Sequence, residues 1–196
     1  ENEKKIKVGV SLGDINGIGP EVIIKTFLDP RMLEICTPIA FGSNKVTSAH
    51  RRILEINDFS FNPITKPEEA NPKRANIVNI WQEEVALEVG KSTPNGGKYA
   101  LLSLQAAVQA LKNKQIDGIV VDLPTGYYLA GVEIESGLLV GQLPSSGTGD
   151  QFGLLLTKDS PITACISEAV DAIAADGTLA SIEEKWLTAG AGVPVL

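Results

Sequence analysis

Ile6-Lys7-Val8-Gly9-Val10-Ser11, followed by Gly13-Asp14-Ile15-Asn16-Gly17-Ile18-Gly19-Pro20-Glu21, decides the fold of this chain. The first segment is β-branched and apolar on alternate positions and is bounded by Gly13 and Asp14, which reads as a strand. Pro20-Glu21 then opens a helix: proline suits the first helical position, and a glutamate there meets the positive end of the helix dipole. Val22, Ile23, Phe27 and Leu28 supply that helix with an apolar face. Glycines between a strand and a helix let the backbone turn tightly, and a helix N-terminus offers unpaired N–H groups to an anion. The stretch is neither a G-x-G-x-x-G dinucleotide fingerprint nor a phosphate-cradling loop ending in Lys-Ser/Thr. It reads first as a structural turn and second as a ligand loop.

The same alternation continues along the chain. Pro38 to Phe41 is the next expected strand. Asn44 caps an expected helix through about Ile56, with Val46, Ile53, Leu54 and Ile56 inward. Phe59 to Ile64 and Ala75 to Ile80 read as strands, and Glu84 to Val89 alternates as a half-exposed strand does. Asn95-Gly96-Gly97 marks a loop. The helix after it carries Leu101, Leu104, Val108 and Leu111 as its expected inward stripe. Ile116 to Val121 has the continuous apolar character of a strand buried in a parallel sheet. A short helix from about Gly126 follows, then two strands, Leu138 to Leu143 and Phe152 to Thr157. Ser160-Pro161 opens a terminal helix pair, with Ile162, Cys165, Ile166, Ala169 and Ile173 on one face. Asp176-Gly177 ends its first member. Thr178 caps the second, with Leu179, Ile182 and Trp186 inward. Strands alternating with helices predict an α/β fold, a Rossmann-like three-layer sandwich with a mostly parallel sheet and helices on both faces. The expectation is a single α/β domain over residues 1–196.

Composition narrows the function. The 196 residues carry 17 Lys and Arg against 24 Asp and Glu, a net charge of -7, so no electrostatic footprint for nucleic acid is present. No apolar run is long enough to cross a membrane. No signal peptide is visible, and a cytoplasmic location is expected. One histidine, His50, and two cysteines, Cys36 and Cys165, cannot build a His/Cys zinc site unless carboxylates dominate. The two cysteines read as buried thiols with no disulfide pattern.

Beyond these patterns, the N-terminal segment resembles the 4-hydroxythreonine-4-phosphate dehydrogenase family of pyridoxal phosphate biosynthesis. Lys5 to Val10, Gly13 to Ile23 and Lys25-Thr26-Phe27 carry the likeness. It runs on through Cys36-Thr37-Pro38, Gly42-Ser43, His50-Arg51, Gly97 to Leu101 and Ile116 to Val120. The resemblance implies an NAD-dependent enzyme with a divalent metal held by three histidines. Where the family then reads Thr-Ala-Pro-Ile-Asn-Lys and a Gly-His-Thr motif, this chain has Asp122-Leu123-Pro124-Thr125-Gly126. His50 precedes all the family's metal positions and is expected on a helix surface.

Residues from about 121 to 196 resemble instead the C-terminal part of a periplasmic amino-acid-binding protein of an ABC transporter. Val121 to Thr125, Val140-Gly141-Gln142, Phe152 to Leu154, Lys158 to Pro161, Ala175 to Leu179 and Glu184-Lys185-Trp186 carry that likeness. It implies that Asp122 stands where the family receives a ligand's α-amino group, here a vestigial position without its partners.

The expectation from these two resemblances is an engineered chimera of two α/β fragments, 1–120 and 121–196, with no retained catalysis. On that reading the chain is not an enzyme and has no catalytic residue, metal or cofactor. The alternatives are a metal- and NAD-dependent dehydrogenase-like enzyme and a module binding a polar amino acid. No partner is expected; a homodimer and an incidental anion are compatible with the sequence. The anion would sit at the helix N-termini marked by Gly17, Gly19, Glu21 and Gly97.

Overall fold

The structure, a computed structural model, describes residues 5–121, 123–141 and 153–185. The chain divides into two compact units, 1–120 and 121–196. The first contains a five-stranded sheet built from β1 (Lys7–Ser11), β2 (Thr37–Gly42), β3 (Asn62–Ile64), β4 (Asn76–Asn79) and β5 (Gly118–Ile119). The strand order is β3-β4-β2-β1-β5, and every neighbouring pair is parallel. Parallel neighbours need crossovers, which α1 (Gly19–Leu28), the short α2 (Met32–Ile35), α3 (Asn44–Ile53) and α4 (Pro94–Lys112) supply.

Alternation along the central strands sends side chains to opposite faces. On one face Ala40 and Ile77 pack with Ile23, Ile24 and Phe27 of α1 and Val46 of α3. On the other, Ile39, Phe41 and Val78 pack with Ala107 and Ala110 of α4. The sheet is therefore covered on both sides, which confirms the α/β class and the parallel three-layer arrangement. Ile24, Ile39 and Ile77 are fully buried, each stabilising the fold by about 1.5–3 kcal/mol.

Several sequence expectations require correction. The inward stripe of α4 is Gly96, Tyr99, Ser103, Ala107 and Ala110, while Leu101 is 56% exposed. Small residues let this helix lie close to the sheet, and apolar size alone pointed to the wrong face. The apolar run from Ile116 to Val121 forms only the two-residue β5, at the sheet edge, with Val120 exposed. Helix α3 stops at Ile53, which is exposed. Residues 84–89 form no strand, and Val89 lies in a turn.

The described part of the second unit forms helices and irregular segments but no strand. It contains α5 (Leu123–Tyr128), a π-helical turn Leu129–Glu133, α6 (Thr163–Ala175) and α7 (Thr178–Glu183). Leu129 and Ile134 are buried, whereas α6 and α7 bury no residue. Residues 138–141 and 153–157 form no strand. The remainder of the two expected strands, and Trp186, lie outside the described residues.

Candidate functional site: the loop at the carboxyl end of β1

In an open parallel sheet, ligands bind beyond the carboxyl ends of the strands, where the crossovers change direction. Here β1 has β2 on one side and β5 on the other, so the change of direction falls at β1. The loop Leu12–Ile18 leaves the sheet at that point.

Asn16 organises this loop. It is 2% exposed and uses both ends of its amide. Nδ2 donates to Thr93 Oγ1 at 2.9 Å, and Oδ1 accepts the Glu88 N–H at 2.8 Å. Its backbone joins the same network, with N donating to Asp14 Oδ1 at 2.9 Å and O accepting the Gly90 N–H at 2.8 Å. Thr93 caps α4 by accepting the Gly96 N–H at 3.0 Å. The loop, the strap of residues 88–93 and the first turn of α4 are thereby tied into one body.

Asp14 completes the junction. A Cβ placed on Gly96 would stand 2.4 Å from Asp14 Oδ1, so the carboxylate lies directly against the first turn of α4. That is where a helix dipole favours negative charge. On the other side of the turn, a Cβ on Gly19 would stand 2.5 Å from the Leu12 carbonyl oxygen. Only glycine permits that approach, which lets α1 start immediately above the end of β1.

The structure places the expected anion-binding residues at two helix starts. Gly17, Gly19 and Glu21 stand at the beginning of α1, and Gly97 in the first turn of α4. The Gly17 N–H is committed to Asp14 O at 3.0 Å and the Gly97 N–H to Thr93 O at 3.2 Å. The Glu21 carboxylate pairs with Lys25. Asp122 lies outside the described residues.

His50 departs from the expectation of a helix-surface residue. It is 3% exposed, and its Nε2 lies 2.7 Å from the Ile15 carbonyl oxygen. With Val46 and Thr47 it forms the buried face of α3, and the ring fastens α3 to the loop. Helical periodicity contained this signal, since Val46 and His50 are four residues apart. Cys36 is buried as expected, while Cys165 is exposed.

The sequence also understated Asn95-Gly96-Gly97, which is not a loop but the first turn of α4. Thr93-Pro94, a capping residue followed by proline, was the readable start signal.

A three-histidine metal centre does not fit these residues. The chain has one histidine, and that one is fastened to the loop. Among the described residues no group of three or more His, Cys, Asp or Glu could hold a metal ion.

Comparison with known proteins bears on this region. Residues 34–125 match the family described as pyridoxal phosphate biosynthetic protein PdxA. A 4-hydroxythreonine-4-phosphate dehydrogenase of Bacteroides thetaiotaomicron is 45% identical over 118 residues, covering 60% of this chain and 32% of that protein. An Oceanobacillus iheyensis protein assigned as a D-threonate 4-phosphate dehydrogenase is 29% identical over 119 residues, covering 59% of this chain and 36% of its own length. The crystal structure of a 4-hydroxythreonine-4-phosphate dehydrogenase from Burkholderia phymatum has a TM-score of 0.55 at 21% identity, over 60% of this chain and 36% of that one. That last likeness supports the fold. The chain spans about a third of the length of these curated relatives.

These findings overturn two expectations, the engineered chimera without catalysis and the non-enzyme. The relatives are named dehydrogenases, and at 45% identity the likeness extends well beyond a shared sheet architecture. The dehydrogenase-like alternative is the one they favour: the N-terminal region of this chain, over residues 34–125, matches the PdxA family.

Proposed function

We propose that this chain carries the N-terminal sheet lobe of a dehydrogenase acting on a phosphorylated hydroxy acid, of the 4-hydroxythreonine-4-phosphate or D-threonate 4-phosphate class. The observation that carries the reading is the 45% identity over 118 residues with a curated 4-hydroxythreonine-4-phosphate dehydrogenase. The loop held by Asn16 and Asp14 supports it, because it stands at the sheet's carboxyl end where such folds meet their ligands. The contribution assigned to these residues is positional: a rigid floor on which a substrate can be oriented. No step is assigned to a metal, since the metal-binding histidines of the family have no counterpart here. No residue is assigned to the dinucleotide either, since the loop lacks its fingerprint.

The test is an assay of the full chain with 4-phosphohydroxythreonine or D-threonate 4-phosphate, NAD and a divalent metal, following NADH absorbance, with calorimetry of each phosphorylated substrate alongside. NADH formation or saturable substrate binding is the expected result. Absence of both refutes the proposal.

A further inference from the structure

The β1–β2 ladder ends on a side chain rather than on a backbone rung. The Thr37 N–H donates to the Ile6 carbonyl oxygen at 2.8 Å, and the register runs from the pair Lys7 and Thr37 to the pair Ser11 and Phe41. A parallel ladder is evenly spaced and repeats every two residues. Its next rung would join the Leu12 N–H to the Phe41 carbonyl oxygen. Instead both groups turn to α4. The Leu12 N–H donates to Ser103 Oγ at 2.8 Å, and the Ser103 hydroxyl donates to the Phe41 carbonyl oxygen. Ser103 is fully buried, so both backbone groups depend on this one hydroxyl for satisfaction.

The inserted hydroxyl sets where the chain leaves the sheet. Leu12 is fully buried and is held from three sides. Its N–H is bonded to α4. Its carbonyl oxygen lies against Gly19 at the start of α1, and its side chain lies over Gly42 at the end of β2, where a Cβ would stand 2.2 Å from Leu12 Cδ1. The contact with α4 continues along the loop, with Asp14 against Gly96 and Asn16 bonded to Thr93. Ser103 and Gly96 share the buried face of α4, about two turns apart. Without the hydroxyl, the Leu12 N–H and the Phe41 carbonyl oxygen would either stay buried and unpaired, which is costly, or close on one another. Closure would draw Leu12 towards β2 and away from Gly19.

We infer that Ser103 is a positioning residue for ligand binding at the loop. By holding the last rung open it fixes the Leu12 backbone, and through Leu12 the start of α1, against which a phosphorylated substrate binds. The identity of that substrate rests on the dehydrogenase reading; the placement of the loop does not.

The test compares the full wild-type chain with Ser103→Ala and Ser103→Thr. NMR reads the scalar coupling carried through a hydrogen bond between the Leu12 amide nitrogen and the Phe41 carbonyl carbon. Wild type and Ser103→Thr should show none. Ser103→Ala should show it as the rung closes, with the amide signals of residues 13–19 shifted. Calorimetry then reads binding of 4-phosphohydroxythreonine and D-threonate 4-phosphate. Ser103→Ala should bind roughly fivefold more weakly, the worth of about one hydrogen bond, and Ser103→Thr should recover most of the affinity. Ala110→Gly, which weakens α4 away from the rung, should lower the urea midpoint and leave the affinity unchanged. If the added methyl of Ser103→Thr prevents folding, Ser103→Cys, whose thiol also donates and accepts, replaces it. A coupling already present in the wild type, its absence in Ser103→Ala, equal affinity of wild type and Ser103→Ala, or equal weakening by Ala110→Gly overturns the inference. The coupling needs no ligand, so its failure leaves the dehydrogenase reading untouched. Failure of the wild type to bind either substrate counts against that reading and takes the ligand role of Ser103 with it.

Discussion

Asn16→Ala should loosen the first unit from its loop outward. The substitution removes the Nδ2 donor to Thr93 and the Oδ1 acceptor of the Glu88 N–H. Thr93 Oγ1 keeps the Gly96 N–H, so that atom is not orphaned. The Glu88 N–H loses its side-chain acceptor; Glu88 is exposed, so water compensates in part. Two lost bonds at about 1 kcal/mol each, with a partial desolvation penalty, give a destabilisation of about 2–3 kcal/mol. The measurement is urea unfolding followed by Trp81 fluorescence in a Trp186→Phe background; Trp81 is 5% exposed and reports on the first unit's core. Thr93→Val in the same background closes a double-mutant cycle, with an expected coupling of about 1 kcal/mol between the two sites. A loss below about 0.5 kcal/mol for Asn16→Ala, together with strict additivity in the cycle, would refute the idea that Asn16 holds loop, strap and helix together.

Three further outcomes are expected. Gly96→Ala ought to gain up to about 1 kcal/mol in helix propensity, but its methyl would stand 2.4 Å from Asp14 Oδ1. The expected result is a net loss in urea unfolding, and a stabilised variant would show that Asp14 does not press on this turn. Asp29 is bonded by the Arg31 side chain and backbone, which hold its carboxyl at about 2 against an ordinary 3.8. Its contribution to stability is present above the ordinary value and is lost as pH falls towards 2. NMR titration should show the low value in the wild type and a return towards 3.8 in Arg31→Ala; an unchanged titration contradicts the assignment. Burial pushes the Cys36 thiol up, whereas Cys165 is exposed. A disulfide reagent at neutral pH should therefore modify one thiol quickly and leave the other until unfolding, and two equally fast thiols would argue against the packing around Cys36.

The layered α/β plan was legible because β1, α1 and β2 each follow a local rule: alternation, a proline start, a continuous apolar run. What misled was the use of side-chain size as a proxy for burial. In α4, the leucines of the expected stripe are larger than Ser103, Ala107 and Ala110, yet the small residues face the sheet. A helix that approaches closely needs small residues at the contact, and nothing in the helix's own periodicity distinguishes that case from a leucine stripe. The segment 84–89 has the alternation of a strand, with Val85 and Leu87 turned to the core. It lacks a neighbouring strand, and pairing is not a local property.

The candidate site was half legible for a related reason. Glycines announced the turn, but the residues that hold it are Asn16, Asp14, Thr93 and His50, whose partners lie up to 77 positions away. Asp14 had the ordinary local reading of a strand boundary and His50 that of a surface histidine. Only tertiary placement shows that Asn16 accepts from Glu88 while donating to Thr93, and that His50 reaches the Ile15 carbonyl oxygen. The consequence reaches function. The first turn of α4 already faces the carboxylate of Asp14, so a second anion there would meet charge repulsion rather than a free dipole. On the proposed reading, a phosphorylated substrate would therefore approach the loop from the α1 side. Asp14→Asn tests this directly: removing the charge should strengthen inorganic phosphate binding at the loop in calorimetry, and no change would show that the α4 turn is closed by geometry rather than by charge.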